Sequence, residues 1–334
     1  MTLDPTVAPV LTIVIPTYQR PQLLQACLEA LTHQQRPSAD FEVVVVDDGS
    51  DCPPRDVVAQ YEGRLQLRLI EQRNAGPAAA RNAGARAARG AHVVFTDDDC
   101  LPDSGWLIAI ANCLVLNLDV AIGGRIVNAL PDRLCSTASQ LLIDFLYRWH
   151  NTNPNASCFL VTANMAVSRR AFIDLGGFDE SFPLAAAEDR DFCERWLAAR
   201  HRMVYCANAV VQHWHTLGLL SFCRQHLNYG RGAHHLHVAR AGRGKRGFRL
   251  ESLRFYAMLV LAPYHDNRAP RAPVLSVLLL LSQATYAIGY ITERWRTRSP
   301  MAVAVRAESA GRASSTLESH AVCPRPILCR ATTP

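Results

Sequence analysis

The chain has 334 residues, a formal net charge of +6 at pH 7, and 49% hydrophobic against 19% charged residues, which excludes a disordered chain and is ample for a buried core. A mean hydropathy of +0.01 excludes a bundle of many membrane helices but leaves room for one. Eleven scattered cysteines form no CxxC pair, so zinc-finger spacing is absent. Met1 to Val10 lacks the basic stretch of a signal peptide, so reduced thiols and chemistry on the cytosolic side are expected, with no nucleic-acid partner.

Three strand-like runs alternate with helix-like ones. Val10 to Ile15 is apolar and β-branched and is ended by Pro16; Phe41 to Val46 and Ala91 to Thr96 are similar runs, as strands buried on both faces require. Between them, Pro21 to His33 repeats leucines at helical spacing, and Gly76 to Arg89 is alanine-rich and helical. The alternation predicts an α/β fold with a mainly parallel sheet. Further helices are expected near Trp106 to Leu116, near Ser136 to Arg148 and, after the stretch Ala185 to Phe192, up to Arg200. Arg224 to Arg254 holds eight basic residues against Glu251, a basic apron. Ala272 to Ile291 is uncharged for 20 residues, long enough for a single span, though a buried amphipathic helix fits the same pattern. Phe255 to Pro263 is too short to span and suits the membrane interface. Arg296 to Pro334 has the composition of a disordered tail.

Ligands of such sheets sit beyond the carboxyl ends of the strands. Those ends here are Pro16-Thr17-Tyr18, Asp47-Asp48-Gly49-Ser50 and Asp97-Asp98-Asp99. Adjacent carboxylates repel unless a cation or donors compensate, and hard oxygens with a phosphate ligand suit Mg²⁺ or Mn²⁺. The competing reading is a solvated acidic turn. On an extended backbone Asp97 and Asp99 would face one side. Asp48 suits a nucleobase N–H or a ribose hydroxyl, or else caps a turn. Arg81, on the alanine-rich helix, could fork a phosphate, brace an aspartate or face solvent.

In this order, VIPTYQR, VVVVDDGS, NAGPAAARNAG, FTDDDCLP, ANMAVSRRAFIDLGGFDESF and AEDRDFCERW resemble family 2 glycosyltransferases over about residues 10 to 230. The resemblance implies a GT-A-type fold over 10–240, with a nucleotide-binding half at about 10–105 and an acceptor half at about 106–240. A basic linker and membrane-associated helical segment follows at 241–295, with a possible single span at 272–291, and then a tail at 296–334. It also implies the roles. Tyr18 packs on the nucleobase, with backbone around Pro16; Asp48 binds the base and Arg81 helps hold that pocket. Asp97 and Asp99 meet ribose and divalent metal, Asp99 foremost, with Asp98 on the donor side. Glu188-Asp189 resembles the ED motif, with Asp189 as general base; Asp191 is its rival. His213 either completes the metal shell or packs beside Trp214, and Arg231 is a donor to the leaving diphosphate.

The expected reaction is inverting transfer of a sugar from a nucleotide-diphosphate donor to a saccharide or lipid-linked acceptor, at the cytoplasmic membrane face. No QxxRW sequence follows the ED motif, which favours transfer of one sugar, or a few, in envelope or exopolysaccharide assembly. Two alternatives stand: a catalytically silent saccharide-binding or scaffold protein on the same fold, and a sugar-nucleotide nucleotidyltransferase. The second usually carries a glycine-rich phosphate loop near the first strand, where VIPTYQRPQ has no glycine. A dehydrogenase would want GxGxxG there, also absent.

Overall fold

The structure, a computed structural model, describes residues 11–35, 41–116, 120–182, 184–245, 251–265 and 270–298. The expectations for Met1 to Val10 and for the tail beyond residue 298 lie outside them. In chain order the elements are β1 (Leu11–Thr17), α1 (Pro21–Thr32), β2 (Phe41–Asp47), α2 (Arg55–Ala59), β3 (Leu67–Glu71), α3 (Pro77–Ala87), β4 (His92–Thr96), β5 (Cys100–Pro102) and α4 (Trp106–Leu116). The second half adds β6 (Val120–Asn128), α5 (Leu134–His150), β7 (Asn164–Ser168), α6 (Arg169–Asp174), α7 (Glu188–Ala198), β8 (Arg202–His213), α8 (Leu219–Gly242), α9 (Leu253–His265) and α10 (Ala272–Arg298).

One eight-stranded sheet runs in the order β3-β2-β1-β4-β7-β6-β8-β5. The first four strands are parallel, as the apolar runs predict. β7 then enters antiparallel between β4 and β6, making the sheet mixed. Side chains of β1 and β2 are buried on both faces: Ile13, Ile15 and Val43 pack toward α1 and α4, and Val14, Val44 and Val46 toward α3. The alanines of α3 have a purpose in this packing. A Cβ at Gly84 would lie 2.3 Å from Cγ1 of Val14, so α3 reaches the sheet only because its inner face is small. That approach carries Arg81 to the strand ends.

The stretch expected as a basic apron is in large part the helix α8, and Arg231 and Arg240 on it turn their charge to Glu293 and Glu194 rather than to solvent. α10 lies against α8, α5 and α9. Leu275 and Leu278 pack with Ala138, Leu141 and Phe222; Leu279 packs with Phe145, Phe255 and Leu259. The α8–α10 crossing is close: a Cβ at Gly230 would lie 1.9 Å from the carbonyl oxygen of Tyr286, and one at Gly289 would lie 2.0 Å from that of Leu227.

Candidate active site

The acidic triplet leaves β4 in a tight turn, closed by the amide of Cys100 donating to the carbonyl of Asp97 at 3.1 Å. The extended geometry expected for Asp97 and Asp99 is therefore corrected: the turn sends Asp97 to Arg81 and leaves Asp98 and Asp99 to share Arg20. Asp97 accepts from Nη2 of Arg81 at 2.6 Å. Asp98 accepts from the Thr17 hydroxyl at 2.8 Å, and Arg20 Nη1 lies 3.2 Å from both Asp98 and Asp99. Burial pushes the Asp98 carboxyl up to about 7, with Arg20 opposing and Asp99 adding to the rise. Burial also pushes Asp99 upward, but His213 and Arg20 outweigh it and hold that carboxyl at about 2.

Asp99 meets His213 because β5 pairs antiparallel with β8, Cys100 opposite His213. Nε2 of His213 lies 3.3 Å from Oδ1 of Asp99. Yet Oδ1 is buried without a hydrogen-bond partner among the described residues. A buried carboxylate oxygen that faces only an imidazole nitrogen fits a divalent cation held by Asp99 and His213. The Cys100 thiol completes a group of three whose ligand atoms lie within 4.8 Å of one another. Burial keeps that thiol well above its ordinary range, and sulfur is a soft ligand, so it suits Mg²⁺ or Mn²⁺ poorly.

On the other side, Arg81 donates through Nη1 to Glu188 at 3.0 Å, so one buried guanidinium joins the acidic turn to the start of α7. Before α7, Ala187 sits in the left-handed region at φ 73°, a conformation that costs a non-glycine residue about 1 kcal/mol or more. Burial and the neighbouring Asp189 raise Glu188 to about 7, against Arg81. Burial raises Asp189 as well, while the amide of Arg190, donating to its Oδ1 at 2.7 Å, opposes the rise. Asp191 points away and is fully buried between Arg195 and Arg243.

The remaining expected residues divide. Pro16 does not end β1 as expected but lies inside it, opposite Val46, with Thr17 as the last residue; Tyr18, just beyond the strand, is 47% exposed. Asp48 is buried, accepting from Nε2 of Gln72 at 2.7 Å and from the amides of Ala75 and Gly76 at 2.9 and 2.8 Å. Its carboxylate thus shapes the loop before α3 and keeps only part of its accepting capacity for a ligand. Arg231 is not brought to the cluster: its Nε donates to Glu293 of α10 at 2.9 Å. Arg20 and Thr17, which do touch the acidic turn, are not among the expected residues. Their signal was the strand-end motif Pro16-Thr17-Tyr18-Gln19-Arg20.

Residues 12–176 match the family model described as Glycosyl transferase family 2. Glycosyltransferase AglE of Haloferax volcanii is 29% identical over 174 residues, 51% of this chain and 56% of that protein. Pre-mycofactocin glycosyltransferase of Mycobacterium tuberculosis is 30% identical over 200 residues, covering 58% of this chain and 42% of its own length. The chain therefore spans about half the length of these relatives. Among solved structures, the mannosyltransferase PcManGT from Pyrobaculum calidifontis, in complex with GDP-Man and Mn²⁺, aligns with a TM-score of 0.56 at 22% identity, over 93% of this chain and 82% of that one. S. aureus TarS 1–349 aligns at 0.50 and 18% identity, over 86% and 92%. These two likenesses establish the GT-A-type fold.

Proposed function

This chain belongs to glycosyl transferase family 2, and from that premise we propose that it moves a sugar from a nucleotide-diphosphate donor to a hydroxyl of a saccharide or lipid-linked acceptor, inverting the anomeric carbon. The observation that carries the reading is the convergence of the Asp97-Asp98-Asp99 turn and the Glu188-Asp189 pair on Arg81.

Asp189 is the general base. Its carboxylate takes the proton of the acceptor hydroxyl as the oxygen bonds to the anomeric carbon, and the bond from that carbon to the nucleotide diphosphate breaks on the opposite face. Arg81 holds Glu188 beside the base, and Tyr18 and Asp48 receive the nucleoside. Asp99 and His213 would hold Mg²⁺ or Mn²⁺, which would supply positive charge to the departing diphosphate. Arg20, already on the acidic turn, is the side chain best set to add a second positive charge there. Mn²⁺ in the PcManGT complex supports this choice of cofactor.

Among the described residues one helix, α10, is long and apolar enough to cross a membrane. Its packing on α5, α8 and α9 supports a different placement, lying on the cytoplasmic membrane surface. Val277, Leu280, Ile288 and Ile291 stay exposed on its outer side, as do Met258 and Leu261 of α9. Such a position suits transfer to a lipid-linked acceptor, one sugar or a few at a time, in envelope or exopolysaccharide assembly. The test is a thermal-shift screen of the full chain against UDP, GDP, dTDP and CMP with and without Mn²⁺. A metal-dependent rise with one nucleotide supports the reading; no response to any opposes it.

A further inference from the structure

Seven arginines among the described residues are less than exposed, and six of them have an evident partner. Arg68, Arg81, Arg195, Arg231 and Arg240 pair with carboxylates, and Arg169 donates to two backbone carbonyls. The seventh is Arg190. It adjoins the proposed base in the chain, and its guanidinium forms no ion pair or side-chain hydrogen bond among the described residues. It rests on the Phe159 ring, 5.5 Å from the centroid. Five N–H donors, half-withdrawn from water, are an unused anion fork.

A second unused group lies at the same ring. The His150 imidazole stands 5.9 Å from Phe159, and its buried Nε2 has no hydrogen-bond partner among the described residues. Resting on the transferase reading above, we propose that Arg190, with His150, holds a phosphate carried by the acceptor molecule, beside the hydroxyl that Asp189 deprotonates. Burial and the charge of Arg190 keep His150 below its ordinary pKa, so one neutral ring nitrogen can donate to a phosphate oxygen. Burial raises the Tyr286 phenol of α10, and the charge of Arg190 is the largest opposing influence on it. A lipid-borne phosphate would present the oxyanion that such a fork takes. A soluble sugar phosphate presents the same oxyanion.

The test is titration of the full chain in detergent with farnesyl phosphate, farnesol and glucose 1-phosphate, followed by calorimetry, on wild type, R190Q and R190K. A Mn²⁺-nucleotide titration is run on the same samples. Wild type should prefer farnesyl phosphate to farnesol by about tenfold to a hundredfold, the range of a charge-assisted hydrogen bond. R190Q should erase that preference and R190K should keep part of it. An Arg190-dependent gain shared by glucose 1-phosphate identifies recognition of the phosphate alone; a gain confined to farnesyl phosphate identifies a lipid-borne one. Equal binding of farnesyl phosphate and farnesol by wild type, or an undiminished preference in R190Q, overturns the proposal. Should R190Q fail to bind nucleotide and so prove unfolded, undiminished preference in R190K overturns it instead. Loss of nucleotide binding in wild type would overturn the transferase reading itself.

Discussion

Asp97 and Glu188, the first at the end of β4 and the second opening α7, are bound to the same guanidinium, that of Arg81. Asp97 accepts at 2.6 Å and Glu188 at 3.0 Å. The acidic turn and the start of α7, which we propose as the donor side and the base side, are thus positioned against each other by a single buried side chain rather than by the sheet alone.

Replacing Arg81 by alanine leaves Glu188 buried and uncompensated. Breaking such a buried pair costs about 3–5 kcal/mol, so Arg81→Ala should unfold at a markedly lower temperature and lose transfer. Arg81→Lys keeps the charge without the fork and should fall between the two. Differential scanning calorimetry of the three proteins checks the order.

Asp189→Asn preserves shape and removes the proposed proton acceptor. General-base removal typically costs about 10²–10⁴ in rate, and kcat should fall within or beyond that range. Nucleotide affinity should stay within about twofold, an estimate that follows from the proposed role of Asp189 on the acceptor rather than the donor. Steady-state kinetics with a parallel nucleotide titration separates the outcomes, and lost nucleotide binding would move Asp189 to the donor side.

Asp99→Ala should remove most of the Mn²⁺ dependence of nucleotide binding. His213→Ala should weaken it by about 10- to 100-fold if the imidazole supports the ion as argued. Titrating Mn²⁺ at fixed nucleotide measures both, and unchanged half-saturation in the two variants would remove them from the metal shell.

The pH dependence that Glu188 contributes has a definite sign. Glu188 sits at about 7 in the fold against an ordinary 4.5, so folding favours its neutral form. Its stabilising contribution is full below about pH 4.5 and is lost as pH rises through about 7, an effect of up to about 3 kcal/mol. Asp98 acts in the same sense, while the buried His215 and His226, held near 4, act in the opposite one, so the effect is read against a variant: between pH 5 and pH 8 the metal- and nucleotide-free wild type should lose more melting temperature, or gain less, than Glu188→Gln. That variant has a neutral side chain whose oxygen still accepts from Arg81.

The outer side of α10 gives a further prediction. Leu280→Glu together with Ile288→Glu should cut binding to anionic vesicles several-fold, each charge placed in the interface costing on the order of 1 kcal/mol or more, while the melting temperature holds. Vesicle flotation with calorimetry reads the two effects apart. Persistent flotation would transfer the attachment to another surface.

The parallel half of the fold was legible because its strands are unbroken apolar runs: FEVVVV announces a strand buried on both faces by composition alone. β7 was not, since Asn164–Ser168 is five residues long with polar ends, and its place between β4 and β6 is decided by long-range pairing. The three-residue β5 escapes for the same reason, and with it the means by which Asp99 meets His213. Arg20 went unselected because an arginine one residue before a helix looks like any surface arginine, and only the turn at Asp97 reveals its partners. Local spacing could not have shown that Arg231 spends its charge on Glu293, 62 positions away.

The glycine-to-carbonyl crossing of α8 and α10 bears on how this lineage can change. Where a hydrophobic tail is merely appended, a premature stop codon can free the enzyme from its membrane in one step. Here a stop before residue 272 would uncover Ala138, Leu141, Phe145 and Leu259, leaving an adhesive wound on the catalytic body. Descendants that lost the membrane contact proposed for α10 would have to do so by gradual exchange of the outward residues, such as Val277 and Ile291, with Gly230 and Gly289 retained throughout.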